Sequence, residues 1–300
     1  MARCKSLAPV TTAVAHPCEA SALVGAAQAA AERLIKPIYV GPKARINEIA
    51  RTAGIDLGAA EIVDAPHSHA AAQQAVALVR EGRAELLMKG SLHTDELLGA
   101  VVARETGLRT GRRISHVFIM DVPTYHKVLI VTDAAINIAP SLEEKVDICQ
   151  NAIDLAISLG LKQPKVALLA AVETVNSKMP ATLDAAALCK MAERGQIKGG
   201  ILDGPLAFDN AISPEAARTK GIKSEVAGDP DILVVPDLEA GTVGAGEKAQ
   251  QLRENVAGLV LGARVPIILT SRADSVRARI ASCAVAMLAA HARRKSAAEG

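Results

Sequence analysis

The 300-residue chain is 50% hydrophobic and 22% charged, and its 34 Lys+Arg against 32 Asp+Glu leave a formal net charge of +2. That composition excludes a disordered polyelectrolyte and a general binder of phosphate backbones, so any anion site must be built by local loops. Two Phe, two Tyr and no Trp leave Ala, Val, Ile and Leu to fill the core, and they leave few platforms on which nucleic-acid bases could stack.

In chain order, short β-branched runs predict strands at Val10 to Ala15, Pro37 to Val40, Glu61 to Asp64, Glu85 to Met88, Ser115 to Met120 and Lys127 to Val131. Further strands are predicted at Lys165 to Ala170, Gly199 to Leu202, Ile232 to Val235, Gly258 to Gly262 and Val265 to Thr270. Ala-rich segments of helical period fill the gaps, at 19–34, 43–53, 67–81, 94–105, 142–160, 181–194, 213–220, 239–254 and 274–294. Strand and helix in alternation imply α/β layering, a mostly parallel sheet covered by helices. Helix 142–160 is announced by Ser141 with Glu143 and Glu144 in its first turn, where acids suit the helix dipole.

Pro9, Thr11 and Thr12 interrupt the opening apolar stretch, which reads as a first strand rather than a signal peptide. No apolar run approaches the ~18 residues of a membrane span, and no membrane partner is expected. The five cysteines (Cys4, Cys18, Cys149, Cys189, Cys283) are scattered, and no Cys-x-x-Cys occurs. Neither a disulfide framework nor a structural zinc site is expected, which suits a reducing, cytoplasmic location. Length alone predicts two domains of ~150 residues or one large one. The pattern pauses at Thr132–Pro140, the expected seam, while the last strand and helix either close the second series or return to the first sheet.

The most informative segment is Thr270-Ser271-Arg272-Ala273-Asp274-Ser275, where a buried strand runs into a helix. Amides at a helix start attract anions, the hydroxyls of Thr270, Ser271 and Ser275 add donors, Arg272 offers a forked grip on phosphate, and Asp274 could take a proton. The plainer alternative is a capping box made by Ser271 and Asp274. Lys89-Gly90-Ser91-Leu92-His93-Thr94 is a second candidate anion loop, or a strand-to-helix turn capped by Thr94. Gly244-Ala245-Gly246 matches a loose dinucleotide fingerprint, and Glu247 stands where a phosphate-binding P-loop needs lysine. Asp203-Gly204-Pro205 reads first as a turn. His67 and His69 do not share a helical face, so no metal site is expected. No Gly-x-Ser-x-Gly elbow marks a covalent nucleophile.

Taken together, several segments resemble the phosphate acetyltransferase and phosphate butyryltransferase family, its butyryl-type branch most. They are Leu87–Gly90, Gly107–Arg112 with Ser115–Val117, Thr132–Asn137, Val175–Met179, Asp203–Asp209, Val226–Asp229, Pro236–Gly241 and Thr270–Ser275. The resemblance implies an isocitrate/isopropylmalate dehydrogenase-like fold of two α/β/α domains, 1–137 plus 263–300 and 138–262, with an interdomain cleft and a homodimer. It implies interconversion of short-chain acyl-CoA plus phosphate with acyl phosphate plus CoA, by direct transfer in a ternary complex, with CoA as substrate and no metal or other cofactor. Ser271, Arg272 and Asp274 are then the expected catalytic residues. Lys89, Asn137, Asp203, Gly241, Thr242, Thr270 and Ser275 are the expected substrate contacts, with Arg112 a further cation by position. Acetyl-type members place an Asp base deeper in the last helix, where this chain has Ala278; Asp274 is the nearest carboxylate. Thr242 replaces the family's usual Asn. The rival readings are an NAD(P)-dependent hydroxyacid dehydrogenase of the same fold and a non-catalytic subunit binding CoA or acyl phosphate.

Overall fold

A computed structural model describes residues 2–241, 256–271 and 274–299. The chain opens with a 3-10 turn, Ala2–Ser6, then β1 (Val10–Ala15), α1 (Ala20–Ala31), β2 (Ile35–Gly41), α2 (Lys43–Thr52), β3 (Glu61–Asp64), α3 (Ser68–Arg80), β4 (Leu86–Lys89) and α4 (Thr94–Val102). It continues through β5 (Ser115–Met120), β6 (Leu129–Thr132), α5 (Leu142–Ser158), β7 (Lys165–Leu169), α6 (Pro180–Glu193), β8 (Ile201–Leu206), α7 (Phe208–Ile212), α8 (Pro214–Thr219) and β9 (Ile232–Val234). It closes with β10 (Val256–Leu261), β11 (Ile267–Ile268) and α9 (Val276–Glu299). Two compact units result, one of Met1–Arg112 with Arg253–Gly300, the other of Arg113–Leu252.

In the first unit the strand order is β3-β2-β1-β4-β11-β10, parallel except for the antiparallel β10–β11 pair. After β1 the chain moves outward through α1 to β2, whereas β4 lies on the other side of β1. Strand order therefore reverses between β1 and β4, and open α/β sheets take ligands at the carboxyl ends of the strands flanking such a point. Val10, Ala13 and Val14 of β1 and Leu86, Leu87 and Met88 of β4 are fully buried, as strands covered on both faces require. Ala22, Ala26 and Ala29 of α1, Ala71, Ala72 and Ala75 of α3, and Ala286 and Ala290 of α9 are buried too; their short side chains bring helices close to neighbouring backbone without aromatic filler.

In the second unit the order is β5-β6-β9-β7-β8, parallel except for β5–β6. Helix α5 begins as its sequence predicts: Ser141 Oγ accepts from Glu144 N–H at 3.3 Å, and Glu144 Oε2 accepts from Ser141 N–H at 3.0 Å.

Several boundaries differ from the sequence reading. The units divide at 112/113 and 252/253 rather than at 137/138 and 262/263, because β5 and β6 form an antiparallel pair and β6 then pairs with β9. Strand β8 runs through Asp203-Gly204-Pro205, which is no turn; β8 is the edge of its unit's strand order, where proline's missing donor is tolerated. The single helix expected at 213–220 is preceded by another at Phe208–Ile212. Residues 238–241 begin the helix expected at 239–254, and the rest of it, with Gly244-Ala245-Gly246, lies outside the described residues.

Candidate active site

At the carboxyl ends of β1 and β4 two loops interlock. Gly90 N–H donates to Ala15 O at 2.9 Å, and Ser91 donates to His16 O through both its N–H (2.9 Å) and its hydroxyl (2.7 Å). Ser91 Oγ in turn accepts from Cys18 N–H at 3.0 Å. A Cβ on Gly90 would stand 2.3 Å from Ala15 O, so only glycine lets the loops meet this closely. Lys89, the last residue of β4, is 4% exposed. Helix α4 begins at Thr94 with His93 as its cap, correcting the expectation that Thr94 caps it; Glu96 accepts from His93 N–H at 3.3 Å. Sequence reading passed over His16. It sits at φ 53°, its buried ring Nδ1 has no partner among the described residues, and burial, reinforced by Arg45, pulls its pKa below the ordinary imidazole value.

Strand β11 lies parallel to β4, with Ile268 opposite Met88, so the chain leaves it beside Lys89 and enters the turn before α9. In that turn Asp274 Oδ2 accepts from Ser271 N–H at 2.6 Å and Asp274 N–H donates back to Ser271 O at 3.1 Å. Ser275, not Asp274, caps the helix: its Oγ accepts from Ala278 N–H at 3.2 Å, and α9 starts at Val276 rather than 274. Ser275 therefore serves the helix. Ser271 is exposed, whereas Thr270 is buried.

Beneath the turn lies Arg279, 1% exposed, which donates to Thr270 Oγ1 at 2.8 Å and to Ser271 O at 2.9 Å. Sequence reading missed it. The signal was present in the helical spacing, since Arg279 shares the stripe of buried Ser282, Cys283 and Ala286, where a lone cation stands out. Arg272 and Thr242, two further expected site residues, lie outside the described residues.

The other expected contacts belong to the second unit. Asn137 is 3% exposed and already engaged: its Nδ2 donates to Ile114 O at 2.9 Å and to Asp133, and its Oδ1 accepts from Arg113 Nε at 2.7 Å. These bonds hold the 133–137 loop together and tie it to Arg113 and Ile114. Asp133 organises the same loop, its carboxylate accepting from the backbone N–H groups of His116, Ala135, Ile136 and Asn137 at 3.1, 3.1, 3.2 and 3.1 Å. Burial nevertheless raises its pKa, outweighing the hydrogen bonds that lower it. Gly241 packs onto this loop, where an added Cβ would lie 3.2 Å from Asp133 O. Asp203 is half-buried, with Oδ1 accepting from Gly204 N–H at 2.9 Å.

The second unit also holds a cavity of about 720 Å³, lined by Met120, Tyr125, Leu169, Phe208, Ile212 and Val235 among others, none of them charged. Such a lining suits apolar groups, not phosphate. All five cysteines are free. Burial pushes the thiols of Cys149, Cys189 and Cys283 up to about 12 and raises those of Cys4 and Cys18, so none is thiolate near neutral pH. Among the described residues no helix is long and apolar enough to cross a membrane, and no cluster of three or more His, Cys, Asp and Glu could hold a metal ion.

Residues 67–287 match the family described as phosphate acetyl/butaryl transferase. The chain is 64% identical over 294 residues to a phosphate acetyltransferase of Rhizobium meliloti, covering 98% of this chain and 93% of that protein. To a phosphate butyryltransferase of Clostridium acetobutylicum it is 44% identical over 253 residues, 84% of each. The crystal structure of a branched-chain phosphotransacylase from Enterococcus faecalis superposes with a TM-score of 0.77 at 32% identity, covering 94% of this chain and 99% of that one. Relatives of both acetyl and butyryl type match, so the comparisons do not single out the butyryl branch.

Proposed function

This chain belongs to the phosphate acetyl/butyryltransferase family, whose enzymes interconvert acyl-CoA plus phosphate with acyl phosphate plus CoA, and from that membership we propose how this chain carries the reaction. Transfer is direct, within a ternary complex, on short acyl groups of acetyl or butyryl size. The observation that carries this reading is the convergence of Lys89, Thr270 and Ser271 at the carboxyl ends of two adjacent parallel strands, beside the start of α9. Hydroxyl and cationic donors at such a place suit the phosphoryl group, and Arg272 follows Ser271 in sequence to complete the grip.

In the direction that makes acyl-CoA, Asp274 takes the proton of the CoA thiol and the sulfur forms a bond to the acyl carbonyl carbon. Ser271 and Arg272 stabilise the developing oxyanion, and the carbon–oxygen bond to phosphate then breaks, releasing phosphate. The chemistry runs on side chains and the CoA thiol, with no metal or redox cofactor. The raised thiol pKa values support transfer without an acyl-enzyme on cysteine. The working protein is read as a cytoplasmic homodimer, for which light scattering should give about twice the 31.1 kDa chain mass.

Initial rates with acyl-CoA and phosphate varied together, followed by thiol release, test the mechanism. Intersecting lines are expected. Parallel lines, or acyl label retained on a cysteine after denaturation, would establish ping-pong transfer instead, and no thiol release with any short acyl-CoA would leave a binding subunit.

A further inference from the structure

The proposed transfer uses Thr270 and Ser271 but not the residue beneath them. Resting on that reading, we infer that Arg279 is the positioning residue of the phosphate turn: it sets the direction of the Thr270 hydroxyl, fixes the Ser271 backbone, and holds a buried positive charge behind the bound anion.

Arg279 decides which way the Thr270 hydroxyl points. A guanidinium only donates, so the 2.8 Å contact from Arg279 makes Thr270 Oγ1 an acceptor and turns its own proton elsewhere. Among the described residues no protein group accepts that proton, which leaves it for an oxygen of the ligand. Ser271 is held from both ends, its carbonyl by Arg279 at 2.9 Å and its N–H by Asp274 at 2.6 Å, so its exposed side chain projects from a fixed backbone.

Arg279 is 1% exposed, and among the described residues its two hydrogen-bond partners are neutral oxygens, its buried Nε has no partner and no carboxylate lies within 4.0 Å. Burial lowers its pKa, with Asp274 and Glu19 opposing that only through space. A buried cation without a paired anion is costly, and a bound phosphate at the Thr270–Ser271 turn would supply the missing negative charge.

Helix α1 is shaped around the same side chain. A Cβ on Gly25 would lie 2.6 Å from Arg279 Cδ, so this glycine makes room for the stem that delivers the guanidinium to the turn. Glycine is otherwise a poor choice inside a helix.

The test combines Arg279→Met, Arg279→Lys and Gly25→Ala with kinetics and melting in inorganic phosphate. Arg279→Met should raise the phosphate KM about tenfold or more, about 1.4 kcal/mol, while the acyl-CoA KM stays within about twofold. Arg279→Lys, which keeps the charge without the fork, should recover part of that loss. The rise in melting temperature caused by phosphate should shrink in Arg279→Met. Gly25→Ala should also raise the phosphate KM, but add nothing in an Arg279→Ala background, where the stem it displaces is gone.

Unchanged phosphate KM and unchanged phosphate-induced melting shift in Arg279→Met would overturn the inference, reducing Arg279 to packing. Should Arg279→Met not fold, unchanged phosphate kinetics in both Gly25→Ala and Arg279→Lys overturns it equally. Ser271→Ala separates the two levels. If it raises the phosphate KM while the Arg279 and Gly25 variants do not, only the positioning role fails; if it changes nothing either, the phosphate turn itself is misassigned and this inference falls with it.

Discussion

Asp274 is a carboxylate engaged by its own turn to which the proposed function also gives the role of base. Its Oδ2 accepts from Ser271 N–H while Ser275 does the capping, so the side chain is not needed to start α9. Asp274→Asn keeps an oxygen for the Ser271 amide and loses only the basicity. The melting temperature should hold within a few degrees while kcat falls by about a hundredfold or more, the usual scale of general-base help. Near-normal turnover in that variant would return Asp274 to the turn alone and send the search for the base to other carboxylates or to His16. Arg272 makes a separate test of anion recognition. Arg272→Lys keeps the charge but removes the forked guanidinium, and the phosphate KM should rise about tenfold. Both proposed roles come from sequence, where hydroxyl, cation and acid stand together at a strand-to-helix junction. The sequence could not say which of Asp274 and Ser275 caps, since both side chains are competent and only backbone direction decides.

Loops behave as pairs in this chain. The turn after β4 and the turn after β1 share a hydrogen-bonded seam through Gly90, Ser91, Ala15 and His16, although β1 and β4 are separated by 70 residues of sequence. Gly90→Ala would drive a methyl to 2.3 Å from a carbonyl oxygen, and neither backbone has a flexible end that could yield. It should destabilise the protein by about 3 kcal/mol, read by chemical denaturation, with activity falling as Lys89 is displaced. Gly82→Ala is a poorer comparison because φ there is 74°, whereas Gly99 is helical with open space around it and serves as a control expected to melt no lower. Element identity was legible from periodicity, and α5 was legible down to its capping box. The loop seam was not, because a glycine required by a distant backbone looks the same in sequence as one required by its own turn.

At the scale of the molecule, a core of small aliphatic residues still encloses polar groups, and His116 among them contributes to the acid limit. His116 on β5 is 1% exposed, its Nδ1 lacks a partner among the described residues, and burial pulls its pKa down to about 4. The folded form therefore binds its proton less readily than the unfolded chain, for which the ordinary value is 6.5. Stability from this group is full above the unfolded value and is lost as pH falls from about 6.5 to about 4, by up to about 3 kcal/mol. His16, also shifted down by burial, acts in the same direction. Denaturation midpoints at pH 7 and pH 5 should differ clearly in the parent and less in His116→Gln; equal differences would show that His116 does not set this limit. The sequence by itself determined the α/β class, the alternation that makes a parallel sheet, the family and the junction carrying Thr270, Ser271 and Asp274, because periodicity and short-range chemistry are written in consecutive residues. Only the tertiary structure decided that β5 and β6 join the second unit, that Asn137 ties its own loop to Arg113 and Ile114, and that Arg279 reaches under the turn past Gly25. Each of those outcomes depends on which distant backbone or side chain fills the space beside a residue, and that neighbour is fixed by packing rather than by the residues next in line.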